Sequence, residues 1–314
     1  MTPNPRIFER RCRVTVDGQA IAGNVEGSLR EQGGLRIGFT IDKDTTRAPN
    51  SCELSIYNLA QSTRKHLSDA RSLPVVIEAG YAETGLTVLF AGEMREAFSR
   101  PEGDGTWATI LRAGDGDKAS RKARKATSAR PGVSFDRLVG EVFSELKVGA
   151  GNLWQAIKSG AKDKTKGAQD VLSEGLDKSG YNGSGSISSQ LEKLMQSAGL
   201  EHSVQDGELQ VLTAGKALAT SATFLSPATG LEGSPETTNK GMVSCRVRII
   251  PGLNPGYPVE LDQSTHALET IGSGWYAVDI TPRGTLYRIE KTRYVGDTHG
   301  VDWNAELTLR EVHR

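Results

Sequence analysis

Two stretches decide the reading of this chain: TVLFAGEMREAFSRPEGDGTWATILRA (Thr87–Ala113) and GTLYRIEKTRYVGDTHGVDWNAELTLR (Gly284–Arg310). Each opens on a Leu-aromatic pair, Leu89-Phe90 in one and Leu286-Tyr287 in the other. Each places a Glu three residues after the aromatic (Glu93, Glu290), then a Gly/Asp turn, then a Trp (Trp107, Trp303). An alternating run follows, in which Thr109 and Leu111 match Ala305 and Leu307. Such self-similarity is read before any local detail, because it marks a repeated structural unit. The expectation is a duplicated β-domain whose hairpin ends in a Trp anchor.

Outward from these hairpins the first 118 residues read as β. Cys12, Val14 and Val16 alternate with polar residues, as do Leu35, Ile37, Phe39 and Ile41, and then Cys52, Leu54 and Ile56. A period of two means strands with one wet and one dry face. One short helix is expected in NLAQSTRKHLSDA (residues 58–70), with strands at Val75–Ala79, Thr87–Phe90 and Trp107–Leu111. The last third returns to β. Asp206-Gly207 marks a hairpin, and Val243–Ile249, Tyr276–Ile280, Leu286–Lys291 and Asn304–Leu309 read as strands.

Between the β segments lies KASRKARKATSAR (118–130), which has six basic residues and no acidic one and reads as a solvated connector. Ser134 is placed to cap a helix whose apolar face is Phe135, Leu138, Val139, Val142, Phe143 and Leu146. Residues 149–186 are rich in Gly, with weak amphipathic signals at Leu153, Trp154, Ile157, Val171, Leu172 and Leu176. A further helix is expected from Ser188 to Ser197, stopped by Gly199. The domain reading is therefore 1–118 β, 119–200 connector, helices and insertion, and 201–314 β. The fold class is mainly β with a helical insert (α+β).

Composition narrows function. The 314 residues carry 38 Lys+Arg against 38 Asp+Glu, whereas a dedicated nucleic-acid binder shows a basic excess. With 36 Gly and 12 Pro, the chain suits many short strands joined by turns. No apolar run approaches 18 residues, so no membrane-spanning helix is expected. Met1–Arg13 holds four arginines and no apolar core, which is not the pattern of a signal peptide. Cys12, Cys52 and Cys245 lack any CxxC spacing and read as buried apolar residues of a reducing compartment.

Signals of catalysis are poor. His66, His202, His266, His299 and His313 form no HxH, HExxH or HxxxH. Ser62/Lys65 and Ser159/Lys162 match S-x-x-K, but the partner motifs S-D-N and K-T-G are absent. Asp115-Gly116-Asp117 is followed by cations where a calcium loop needs oxygen ligands. No glycine-rich phosphate cradle is present. Asp302 and Glu306 beside Trp303 could line a sugar groove, yet a strand with a core Trp and a wet face has the same pattern. We expect no enzyme, no catalytic, metal or cofactor residues, and no sequence-specific nucleic-acid binding.

Several segments together resemble phage baseplate hub proteins. IFERRCRVTVDG (7–18), LRIGFTIDKDTTRAPNSCELSIYNL (35–59) and VVIEAGYAETGLTVLFAGEMREAFS (75–99) resemble the first half of that family. LSPATGLEGSPETTNKGMVSCRVRIIPGLNPGYPVEL (225–261) and LYRIEKTRYVGDTHGVDWNAELTLREV (286–312) resemble the second half. The family includes contractile-tail hubs, their Mu-like and late control protein D-like relatives and, more distantly, the N-terminal region of type VI secretion spikes. The Gly149–Gly185 insertion has no counterpart in it.

The resemblance implies two tail-tube-like β-barrels per chain and a homotrimeric ring that adapts a six-fold tube to a three-fold spike. It implies a channel for DNA and tape measure protein. The implied partners are the tail tube or distal tail protein, the central spike, the tape measure and other baseplate proteins. The implied location is the virion tail, assembled in the host cytoplasm. The alternative is a non-catalytic carbohydrate-binding or adhesin β-sandwich module, in which Trp107, Trp154, Trp275 and Trp303 would stack on sugars.

Overall fold

The computed structural model describes residues 9–24, 34–116, 124–160, 180–238, 241–262, 269–270 and 286–312. The chain divides into two units, one built from residues 1–44, 50–114 and 217–314, the other from 45–49 and 115–216. The expected strand at Tyr276–Ile280, together with Trp275, His266, His313 and residues 161–179, lies outside the described residues.

In the first unit the strands are β1 (Arg10–Val16), β2 (Gln19–Gly23), β3 (Ile37–Asp44), β4 (Ser51–Tyr57), β5 (Pro74–Tyr81), β6 (Gly85–Gly103) and β7 (Thr106–Gly114). One helix, α1 (Gln61–Asp69), separates β4 from β5. Asp17-Gly18 and Asp104-Gly105 make the two-residue loops of β1–β2 and β6–β7, with positive φ at both positions of each. Only Gly, Asn and Asp enter that region readily, so the dipeptide selects the turn.

The second unit holds β8 (Thr127–Ala129), α2 (Phe135–Ser144), α3 (Leu153–Gly160), β9 (Tyr181–Gly183), α4 (Ile187–Ser197), β10 (Leu200–Gln205) and β11 (Glu208–Thr213). Its core joins Leu138, Val139 and Val142 of α2 to Ile187, Leu191, Leu194 and Met195 of α4, and both to Leu209 and Val211 of β11. The predicted apolar face of α2 is thus the buried one. Ser134 is the N-cap residue of α2 but makes no capping bond with its side chain. At α4 the capping oxygen is Ser186 Oγ, which accepts from the Ser189 N–H, and Gly199 follows with φ +66°. The Asp206-Gly207 hairpin forms as expected, but β10–β11 packs with the helices rather than with the later strands. Asp115, fully buried, fastens that turn: its carboxylate accepts the N–H groups of Asp206 and Gly207 at 2.5 and 2.8 Å.

The remaining strands belong to the first unit: β12 (Thr223–Leu225), β13 (Leu231–Thr237), β14 (Val243–Arg248), β15 (Pro258–Leu261), β16 (Glu269–Thr270), β17 (Leu286–Asp297) and β18 (Trp303–Val312). The sheet runs β16-β13-β14-β18-β17-β3-β4-β7-β6-β5-β1-β2, with β12 and β15 paired off that path. The fold is mainly β with four short helices. The path is open from β16 to β2, so among the described residues no pairing closes either half into a barrel within one chain.

The duplication is explicit in this order. β3-β4-β7-β6 and β13-β14-β18-β17 are four-stranded runs of the same connectivity, and each long hairpin carries a bulge, between Met94 and Glu96 and between Ile289 and Lys291. Aligned on the bulge, Trp107 and Trp303 are equivalent, each six residues before the residue that faces it (Ala113, Leu309). β5 flanks the first half of β6 as β15 flanks the start of β17.

Candidate functional site

The feature that the duplication builds is one face of the eight-stranded run from β13 to β6. Residues directly opposed across antiparallel strands point to the same side. One row on that side reads Glu232, Arg246, Glu306, Arg293, Asp42 across β13, β14, β18, β17 and β3. A second reads Glu96, Arg112, Glu53, Thr40 across β6, β7, β4 and β3. Charge alternates along the first row and along Glu96, Arg112 and Glu53 of the second. Arg112 donates to Glu53 at 2.9 Å and to Glu96 at 2.8 Å, and its guanidinium is held protonated more firmly by those two hydrogen bonds. Asp42 lies 3.5 Å from Lys291 and 3.9 Å from Arg293. These exposed pairs contribute little to stability. Their consequence is a face with many charges and no strong field of one sign.

The opposite face is the core. Ile37, Phe39 and Ile41 of β3 meet Cys52, Leu54 and Ile56 of β4, and Ala305, Leu307 and Leu309 of β18 lie in the same cluster. Two charges hide there, and neither is legible in the sequence. Lys43 continues the apolar alternation of β3 and is 1% exposed, with Nζ donating to the Leu89 carbonyl and to Asn254 Oδ1. Arg288, 2% exposed, donates to Glu290 at 2.6 Å, and Arg310 reaches the same carboxylate at 3.0 Å. Glu290 is the residue at the β17 bulge, and aligned on the bulges it matches Arg95 and not the Glu93 of the sequence repeat.

The residues singled out for chemistry do not converge. Ser62 and Lys65 both stand exposed on α1, where the neighbouring Arg64 lies 4.2 Å over the Trp107 ring. Ser159 lies on α3, and its partner Lys162 is outside the described residues. Asp115 serves the β10–β11 turn. Among the described residues no three His, Cys, Asp or Glu side chains cluster as metal ligands.

The tryptophans divide. Trp303 is a core anchor, 4% exposed and edge-on to Phe39 at 5.6 Å. Its repeat partner Trp107 is 38% exposed, so the anchor expectation holds for one copy only. Trp154 sits edge-on to Phe143. Cys12, Cys52 and Cys245 are free and buried, and burial pushes the thiols of Cys12 and Cys245 up to about 12.

His202 of the second unit is partly buried, and desolvation followed by the Arg47 charge lowers its pKa to about 4. A folded-state value below the ordinary 6.5 means that the unfolded chain binds the extra proton. Stability from this group is therefore full above pH 6.5 and is lost as pH falls toward 4. The limit is ~3 kcal/mol, reduced by the ring's partial exposure. Denaturation of the wild type and His202→Gln across pH 4–7 should show the slope in that window flatten in the variant.

Solved structures share this fold. The tail protein from Neisseria meningitidis MC58 matches with a TM-score of 0.55 at 12% identity over 96% of both chains. The 43 kDa tail protein of prophage MuSo2 from Shewanella oneidensis matches with 0.55 at 10% identity, over 96% of this chain and 98% of that one. An Escherichia coli component of the type VI secretion system, described as similar to T4 bacteriophage tail proteins gp27 and gp5, matches with 0.54 at 8% identity over 96% and 77%. No protein-family model matches the sequence, and no curated protein matches it. The chain thus has the fold of phage tail proteins, shared with a component of type VI secretion.

Proposed function

We propose that this chain is a structural phage tail protein, a baseplate hub whose three copies form a ring between the six-fold tail tube and the three-fold central spike. The observation that carries the reading is the pair of equivalent four-stranded runs joined edge to edge by β17 and β3 within one chain. A chain with two like modules presents six modules in a trimer, which meets six-fold and three-fold neighbours with one subunit type. A closed ring of such modules would also remove open sheet edges by pairing them between subunits. The alternating face would line the channel for DNA and tape measure protein. Balanced charge suits a passage that must not hold phosphate, since fixed cations bind DNA by displacing its counterions.

The partners of such a hub are the tail tube or distal tail protein, the spike, the tape measure and other baseplate proteins, in the virion tail and during assembly in the host cytoplasm. Its role is mechanical and requires no catalyst or cofactor. With Trp303 in the core, one of the four tryptophans of the carbohydrate-binding alternative is withdrawn from any ligand. Mass photometry of the purified chain tests the stoichiometry. Three copies per particle are expected, and a monomer at tens of micromolar contradicts the ring.

A further inference from the structure

The duplication leaves one feature of the first unit unexplained. A cleft of about 490 Å³ is lined by Arg10, Tyr81, Arg246, Arg248, Trp303 and Asn304, a size that suits a small ligand or a few residues of chain. β18 begins at Trp303, and successive strand residues point to opposite faces. The cleft therefore takes side chains from both faces at the end of that strand. Two polar atoms there, Trp303 Nε1 and Asn304 Oδ1, are shut off from solvent and have no hydrogen-bond partner among the described residues. The two residues are 4% and 5% exposed. Folded proteins rarely leave such atoms unbonded, and here two stand side by side in the chain. For both residue types χ2 is a soft torsion, so a modest turn presents either atom to a ligand in the cleft.

One of these atoms is a donor and the other an acceptor, and the cations beside them suit a carboxylate. Arg246 and Arg248 lie two residues apart on one face of β14, and Asn304 directly opposes Arg248. Arg248 holds Glu232 through Nε at 3.4 Å, longer than a tight ion pair. Arg246 makes no ion pair among the described residues. A guanidinium fork matches a carboxylate with two parallel hydrogen bonds. Arg10 does not compete for such a group. It donates to the carbonyls of Asp297, Gly300 and Val301 at 3.2, 2.7 and 2.9 Å, and its guanidinium lies 5.5 Å from the centre of the Trp303 ring. Tyr81 supplies a neutral hydroxyl, since burial pushes its phenol up to about 12.

We infer that the cleft binds the C-terminal end of an extended peptide, with the terminal carboxylate between Arg246 and Arg248, an N–H on Asn304 Oδ1 and a C=O on Trp303 Nε1. A peptide backbone carries donors and acceptors in alternation, which is what two unlike orphan atoms at a strand end require. A bare anion is a poorer fit. Glu9, Glu232 and Asp302 line the same cleft, three carboxylates against three guanidinium groups. Such a cleft attracts neither sign from a distance, so recognition rests on directed hydrogen bonds along the ligand. The site is built within one chain, and its success or failure is separate from that of the ring.

The test is fluorine NMR of the full-length chain labelled with 5-fluorotryptophan, which gives one resonance for each of the 4 Trp. The Trp303 signal is the one lost in Trp303→Phe. The probes are N-acetyl-trialanine with a free carboxylate, the same peptide as its C-terminal amide, and acetate. The acid is expected to move the Trp303 resonance along a saturating curve while Trp154 stays still. The amide should bind about tenfold more weakly, the scale of a lost charge-assisted pair. Arg246→Ala with Arg248→Ala, both at exposed positions, should erase that difference, and Asn304→Ala should weaken both peptides. A Trp303 resonance unmoved by the acid at tens of millimolar overturns the site. Equal binding of acid and amide overturns the carboxylate seat, and acetate acting as strongly as the peptide overturns the backbone contacts.

Discussion

Phe39→Ala is expected to lower the unfolding free energy of the first unit by ~3–5 kcal/mol. Phe39 is 4% exposed and sits in a row that crosses the junction of the two modules: Leu54, Phe39, Gly296, Trp303. Its ring lies over Gly296, where an added Cβ would come within 2.2 Å of Phe39 Cζ. On the far side it meets Trp303 edge-on at 5.6 Å. Truncation removes the filling of that row at the one place where module packs on module, and the surrounding backbone is paired on both sides and cannot collapse. Chemical denaturation followed by Trp fluorescence reads the effect. Phe39→Leu should cost clearly less, because it keeps most of the volume. A Phe39→Ala cost under ~1 kcal/mol would show that the junction is not held there, since full-size aromatic truncations in packed cores cost several times more.

Arg288→Ala should cost a similar ~3–5 kcal/mol by a different route. Its guanidinium is 2% exposed and bonds to a Glu290 carboxylate that is itself 12% exposed. Loss of Arg288 leaves that carboxylate with Arg310, which is half-exposed. Replacing both partners with apolar residues of like volume, Arg288→Met with Glu290→Leu, should recover much of the loss, because the desolvation cost of the charges disappears with them. A double variant no more stable than Arg288→Ala would indicate that the loss comes from packing of the arginine stem and not from a stranded charge.

These two positions also mark how far the sequence could be read. Phe39 was legible, because its alternation with Gly38 and Thr40 fixes a core face whatever the partner strand. So were the Asp-Gly turns at Asp104 and Asp206, where the backbone conformation and the residue type require each other. The hairpin duplication was legible, because both copies keep a Leu-aromatic pair, a Glu three residues on, and a Trp and alternating strand after a Gly/Asp turn. Lys43 and Arg288 were not, since a charge in an apolar position reads as wet until its buried partners are known. β13 escaped notice as well: LEGSPET contains Gly233 and Pro235 and pairs with an irregular register, so it carries no period-two signal. The placement of β10–β11 with the helices could not be read from a hairpin that looks the same beside either partner.

The junction β17·β3 was beyond sequence reading for a further reason. It joins residues more than 240 positions apart, and register between distant strands is set by the packed pair and not by either strand alone. The face it completes, with Glu232, Arg246, Glu306, Arg293 and Asp42 in one row, therefore appears only in the folded sheet. Asp42, Arg246 and Glu306 had been legible singly, as wet members of alternating strands; Glu232 and Arg293 had not.

Electron microscopy of the purified chain, with class averages computed without imposed symmetry, tests the central claim most directly. Three-fold rings with an open centre and six similar lobes are the predicted result. Single compact particles, or pairs related by a two-fold axis, would contradict the account of this chain as the ring between tube and spike.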